Sequence, residues 1–318
     1  MMLAVALEWM IKSRLKSLDC SGQKGRQDAS MVADIIQYWK AGVAGGLRRL
    51  SMSRLSCLEA QVPWTRRIFF WEGYAVGISA RYALVQDSAN PRSTYFAPGY
   101  RFMFWTGLGF WNGVSWPFPP VSLAPERWAD VPEFDEEYSL VLGGAGFSIT
   151  ASSGALNKER LESFSGVRNL ADLDGVYRGA GRALWFLCMH NPSKLSGVLA
   201  AHPNHAKTLA EGVGIAITYT QLETPEQIFS DFASLPKQYW PSLLNGSRVA
   251  LAGLVMEDAR VHHHLDEFPP PLNVLLDEAR GGLVSLTLGP GWSRRFVETC
   301  ERYTSRWVGL QAPKDDAL

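Results

Sequence analysis

The segment Arg178-Gly179-Ala180-Gly181-Arg182-Ala183-Leu184-Trp185-Phe186-Leu187 decides how the rest of this chain is read. Its apolar positions Ala180, Leu184, Leu187 and Cys188 recur in steps of three or four, the period of a buried helix face. Tyr138-Ser139-Leu140-Val141-Leu142, Gly212 to Tyr219 and Gly282 to Leu288 place β-formers in near alternation, so each alone also fits a strand. All of these segments belong to one series. Members of a series share one structure, and the helical member settles the ambiguous ones.

The series consists of Gly42, Gly73, Gly107, Gly144, Gly179, Gly212, Gly246 and Gly281, spaced by 31, 34, 37, 35, 33, 34 and 35 residues. A small residue usually follows two positions later. A period of this size means an array of supersecondary units, each too small to bury its own apolar face. The clearest unit starts at Thr224, which can cap a helix, with Pro225 in the first turn of a helix running to Ala233. Leu235-Pro236 breaks it, and a second helix runs through Gly246 to about Ala259. The expected fold is all-α: stacked helical hairpins with a period of about 35 residues, as a solenoid or a closed helical array. The period matches that of tetratricopeptide repeats, but their consensus is missing. An amphipathic helix over Met1 to Leu18 and a polar loop over Cys20 to Ser30 are expected first. The helical-repeat domain then spans 31–310, and a tail spans 311–318.

Glycine inside a helix costs up to about 1 kcal/mol relative to alanine. Gly73, Gly107, Gly144, Gly179, Gly212, Gly246 and Gly281 are therefore expected at helix crossings, where a missing side chain lets two backbones approach. Aromatic side chains such as Trp71, Trp105, Tyr177 or Trp185 are expected to enter the notches. The residues just before the glycines should share one wall of the array. Five of them are polar: Glu72, Arg178, Glu211, Asn245 and Arg280, with Arg182 one turn beyond Arg178. This candidate ladder has two readings. Arg178 can pair with Glu211 of the next unit to hold register, or the ladder can line a concave site.

The 31 basic and 31 acidic residues balance, so no net field favours nucleic acid or an anionic membrane. The uncharged stretch from Phe102 to Ala124 contains Asn112 and three prolines, which disqualify it as a membrane span. Cys20, Cys57, Cys188 and Cys300 are widely separated and form no CxxC pair, which suits a reducing, cytoplasmic setting. Basic residues follow the apolar ones in the first eighteen positions, the reverse of a secretory signal. Among chemical candidates, His262, His263 and His264 with Asp266 and Glu267 cannot all face one ion from a regular element, and they read as an exposed loop. His202 and His205 lack a carboxylate to complete a site. The acidic run Asp130, Glu133, Asp135, Glu136 and Glu137 reads as a solvated turn. Ser152-Ser153-Gly154 is no nucleophile elbow, and Gly179-Ala180-Gly181-Arg182-Ala183 is too short for a dinucleotide loop. No cofactor and no metal are expected.

Three stretches carry a family resemblance: Phe70-Trp71-Glu72-Gly73-Tyr74-Ala75-Val76-Gly77, Gly175 to Phe186, and Glu211 to Tyr219. Together they resemble an uncharacterised bacterial family of unknown function whose members are often labelled enediyne biosynthesis proteins. The resemblance spans roughly residues 62–260, and its most specific text is Gly-x-Gly-Arg-x-Leu-Trp-Phe at 179–186. It implies secondary-metabolite biosynthesis and supplies no catalytic residue. The functional expectation is action on, or binding of, a hydrophobic small molecule in an aromatic-lined cavity. The alternative is a non-catalytic helical-repeat scaffold that binds another protein.

Overall fold

The computed structural model describes residues 23–85, 100–114, 119–131, 134, 137–164, 166–188, 191–261 and 264, and among these every regular element is helical. In chain order the helices are α1 (Gln23–Arg48), α2 (Met52–Glu59), α3 (Arg67–Val85), α4 (Arg101–Val114), α5 (Tyr138–Ser153) and α6 (Lys158–Glu162). They continue with α7 (Leu170–Cys188), α8 (Pro192–Ala201), α9 (Ala206–Thr220), α10 (Pro225–Ala233) and α11 (Trp240–Glu257). The β-former segments at 138–142 and 212–219 lie inside α5 and α9. Gly281, Arg280, the 282–288 segment, the first helix expected before Leu18 and the 311–318 tail lie outside the described residues.

Local sequence accounts for many helix ends. Asn157 accepts the Arg160 N–H and Asn191 accepts the Lys194 N–H, so both cap the helices that follow. Pro192 and Pro225 occupy first turns, where no helical N–H is lost. Gly154, with φ of 70°, ends α5 in the left-handed conformation. Two expectations need correction. Thr224 does not cap α10 through its side chain, because its hydroxyl donates to Gln221 Oε1 at 2.9 Å. The polar run from Gln23 to Ser30 is helix rather than loop, since Gln, Lys and Arg are good helix formers and need no apolar partner to extend α1. The expected domain boundary at 30/31 thus falls within a helix.

The long glycine-bearing helices α1, α3, α4, α5, α7, α9 and α11 pack each on the next, with the short helices between them in the chain. Their direction follows from the contacts. A methyl placed on Gly109 would meet Val141, and one on Gly113 would meet Ala145, so α4 and α5 run the same way. The same ordering holds at the other crossings. The packing is therefore long helix on long helix in sequence order, while α2, α6, α8 and α10 carry the chain back between them.

The last long helix returns to the start of α4. Phe102 and Met103, at the start of α4, donate their backbone N–H groups to Glu257 at the end of α11, at 2.6 and 3.0 Å. Arg66, only 2% exposed, bonds Asp34 of α1 at 3.2 Å and Glu223 after α9 at 3.1 Å, which again ties late elements to early ones. The core is continuous through the assembly and includes the fully buried Trp71, Trp105, Trp111 and Trp128. No described helix is long and apolar enough to cross a membrane.

Candidate functional site

The glycines form two sets with different partners. Gly144 would press a Cβ onto the carbonyl oxygen of Thr106, Gly179 onto that of Gly143, Gly212 onto that of Arg178, and Gly246 onto that of Glu211. Each separation lies well inside 3.0 Å, which real Cβ atoms do not tolerate. The glycine two residues later faces the other way: Gly109, Gly146, Gly181 and Gly214 lie against the carbonyls of Val141, Val176, Leu209 and Leu243 on the following helix. One G-x-G pair thus serves both neighbours, and backbone carbonyls fill the notches. The aromatic side chains expected there do not. Trp71, Trp105, Tyr177 and Trp185 are all buried elsewhere in the core, because a carbonyl oxygen facing a glycine Cα leaves no room for a ring.

This geometry places the pre-glycine residues. Their carbonyls sit over the next helix's glycine, and their side chains project to the inner side of the curved series. There α4, α5, α7, α9 and α11 line a partly open cavity of about 120 Å³. Arg178, Arg182, Glu211 and Asn245 line it, together with Thr106 and Gly143, the pre-glycine residues of α4 and α5. The rest of the wall is mainly apolar, including Leu140, Ile215, Val249 and Met256. Among the described residues only Phe102 and Tyr219 contribute rings, so the expected aromatic lining is corrected to a mainly aliphatic and thioether one. The ring-rich segments are consumed by the core instead.

Polar contacts at the cavity are specific. Arg178 Nε donates to Glu211 Oε2 at 3.1 Å, and Asn245 Nδ2 donates to Glu211 Oε1 at 3.2 Å. Both oxygens of Glu211 are thereby engaged as acceptors, which fixes the orientation of its carboxylate. Arg182 reaches past the cavity to Glu72 of α3 at 3.0 Å and lies 5.3 Å from the Phe147 ring centroid. Glu72 is 7% and Arg182 14% exposed at the side chain, so this pair is largely withdrawn from water. Tyr219 reaches the cavity from α9, and burial, aided by Glu257, raises its pKa and keeps the hydroxyl a donor. The ladder therefore combines the two sequence readings. Its members pair between helices, and four of them border a cavity.

The remaining candidates fall elsewhere. His205 stacks on Tyr177 at 3.7 Å, and burial lowers its pKa. His202 follows α8 as its C-terminal cap residue. His264 is exposed and stacks on Trp64 at 4.9 Å, while His262, His263, Asp266 and Glu267 lie outside the described residues. The acidic run is not uniformly solvated. Asp130 is exposed, but Glu137 is fully buried against Arg101 Nε at 2.6 Å, because the chain turns inward there to start α5. Ser152 donates to the Ile149 carbonyl, and Ser153 accepts from Arg160. Cys188 is buried with a raised thiol pKa, which suppresses nucleophilicity. Among the described residues no cluster of three or more metal-ligating side chains occurs.

Sequence reasoning missed a second polar cluster where α11 ends. Glu59 Oε1 accepts from Trp71 Nε1 at 3.3 Å, the Tyr100 hydroxyl at 2.9 Å and Arg260 at 2.6 Å. Asp258 Oδ2 accepts from Tyr100 at 3.0 Å and Arg67 at 3.1 Å. Burial pushes the Asp258 carboxyl up, yet the bonds from Arg260 and Tyr100 prevail and hold it below its ordinary value. Burial and the two carboxylates raise the Tyr100 pKa. These residues are 201 positions apart at the extreme, and no local pattern joins them. The cluster clamps the end of the series to its beginning.

Fold and site together define an all-α protein in which helices that cross at small residues line a small, partly open cavity. No protein-family model, no curated protein and no solved structure matches this chain.

Proposed function

We propose that this protein binds a compact, largely apolar small molecule in the cavity between α4, α5, α7, α9 and α11. The observation that carries this reading is the cavity itself. It has a mainly apolar wall and polar groups gathered on the pre-glycine positions of successive helices, the composition expected of a ligand site. Its volume of about 120 Å³ sets the ligand's size. An apolar protein cavity of about 150 Å³ holds one benzene, so the bound part is a single small ring or a short branched chain. A larger molecule would seat only one such portion there and extend through the cavity's open side. The resemblance to enediyne-associated proteins supports a place in secondary metabolism, in which the protein would carry or shield a small precursor. A metabolite comparison between a producing strain and its deletion tests that placement, and an unchanged profile removes it.

Binding is tested with toluene and benzyl alcohol, by nuclear magnetic resonance titration and thermal shift. Saturable binding is expected in the native protein. Gly143→Leu should abolish it, because Gly143 lines the cavity and a Cβ there meets only the Gly175 carbonyl, at 3.7 Å. The variant should unfold within about 1 kcal/mol of the native protein. Failure of both compounds to bind the native protein overturns the proposal.

A further inference from the structure

Resting on this reading, we infer that the ligand carries a carboxylate, or an equivalent planar anion, held by Arg178 and Arg182. Arg178 uses Nε for Glu211, and Arg182 uses one terminal nitrogen for Glu72, so each guanidinium retains terminal N–H donors. The two residues are four apart on α7, one above the other on the same helix face. Both border the cavity. The Tyr219 hydroxyl adds another donor from α9.

Among the described residues Glu211 is the one acidic residue on the cavity wall, and each of its oxygens already accepts a bond, from Arg178 or Asn245. Glu72 does not line the cavity and is bound to Arg182. Each arginine thus holds its own carboxylate, Glu211 or Glu72, through one nitrogen and keeps forked N–H donors beyond it. A ligand that brings a pair of acceptor oxygens uses these donors, and the planar fork of arginine matches a carboxylate's two oxygens. An ammonium ligand would face two guanidinium groups. With the size limit of the cavity, the ligand class is a small aromatic or branched aliphatic monocarboxylic acid.

The test compares benzoate, benzyl alcohol and benzylamine by titration calorimetry against the full chain. Benzoate should bind at least about tenfold more tightly than benzyl alcohol, the margin of one charge-assisted hydrogen bond, and benzylamine should not bind. Raised salt should weaken benzoate and leave benzyl alcohol unchanged. Arg178→Lys and Arg182→Lys keep the charge and lose the fork. Each should cost benzoate about tenfold while sparing benzyl alcohol, a split that a merely structural role would not give. Equal affinity for benzoate and benzyl alcohol, or tighter binding of benzylamine, overturns the carboxylate assignment and leaves the cavity a binding site. No binding of any of the three overturns both. Should the lysine variants fail to fold, the ligand series and its salt dependence on the native protein still decide.

Discussion

At Gly179, Gly212 and Gly246 the requirement is for an absent atom, because a neighbouring carbonyl occupies the space a methyl would take. Gly212→Ala would force α7 and α9 apart, and a destabilisation of about 3 kcal/mol is expected in urea unfolding. Gly197 of α8 is the internal control, since nothing lies within 4 Å of its Cβ position. Gly197→Ala should stabilise the protein by up to about 1 kcal/mol through helix propensity alone. Equal effects at the two sites would show that crossing geometry does not matter. The even spacing of these glycines is visible in the sequence. What fills each notch is not, because a carbonyl is common to every residue and leaves no trace in residue identity.

At the scale of elements, the short helices connect and the long ones pack. The helical character of α7 is plain from its period, and the strand-like texts of α5 and α9 become helical because each must lie along a neighbour of the same kind. The end of α11 is fixed differently, through Glu59, Tyr100, Asp258, Arg67 and Arg260. Exposure ranks these contacts. Arg260 is 56% exposed at its side chain, so Arg260→Ala should cost under about 1 kcal/mol after solvent screening. Tyr100→Phe should cost about 1 kcal/mol, because arginines still satisfy both carboxylates. Glu59→Leu removes the acceptor shared by Trp71, Tyr100 and Arg260, and a loss of about 3 kcal/mol is expected. Denaturant midpoints of the three variants check the order, and a larger loss for Arg260→Ala than for Glu59→Leu would refute it. None of this cluster was legible in the sequence, since its members are ordinary polar residues joined only by the curvature of the whole series.

For the whole molecule, that curvature brings Glu257 against the start of α4, where burial raises its pKa well above the ordinary carboxyl range despite the N–H groups of Met103 and Phe102. The folded state therefore binds this proton more tightly than the unfolded chain. The resulting stabilisation is complete below the unfolded pKa of about 4.3 and is lost as pH rises through the folded value. Glu257→Gln keeps a carbonyl acceptor without the charge. Its stability relative to the native protein should rise as pH increases from about 4 to about 9, measured by urea midpoints, and parallel curves would contradict the assignment. The sequence by itself determined the helical class and the beat of small residues, because helix periodicity and glycine placement are local properties of the chain. It also put Arg178, Glu211 and Asn245 at equivalent positions. Only the tertiary structure decided that these positions face one cavity of about benzene size. The way successive helices pack until α11 meets the start of α4, a property of no single residue or helix, sets which side chains share that cavity and how much room remains there.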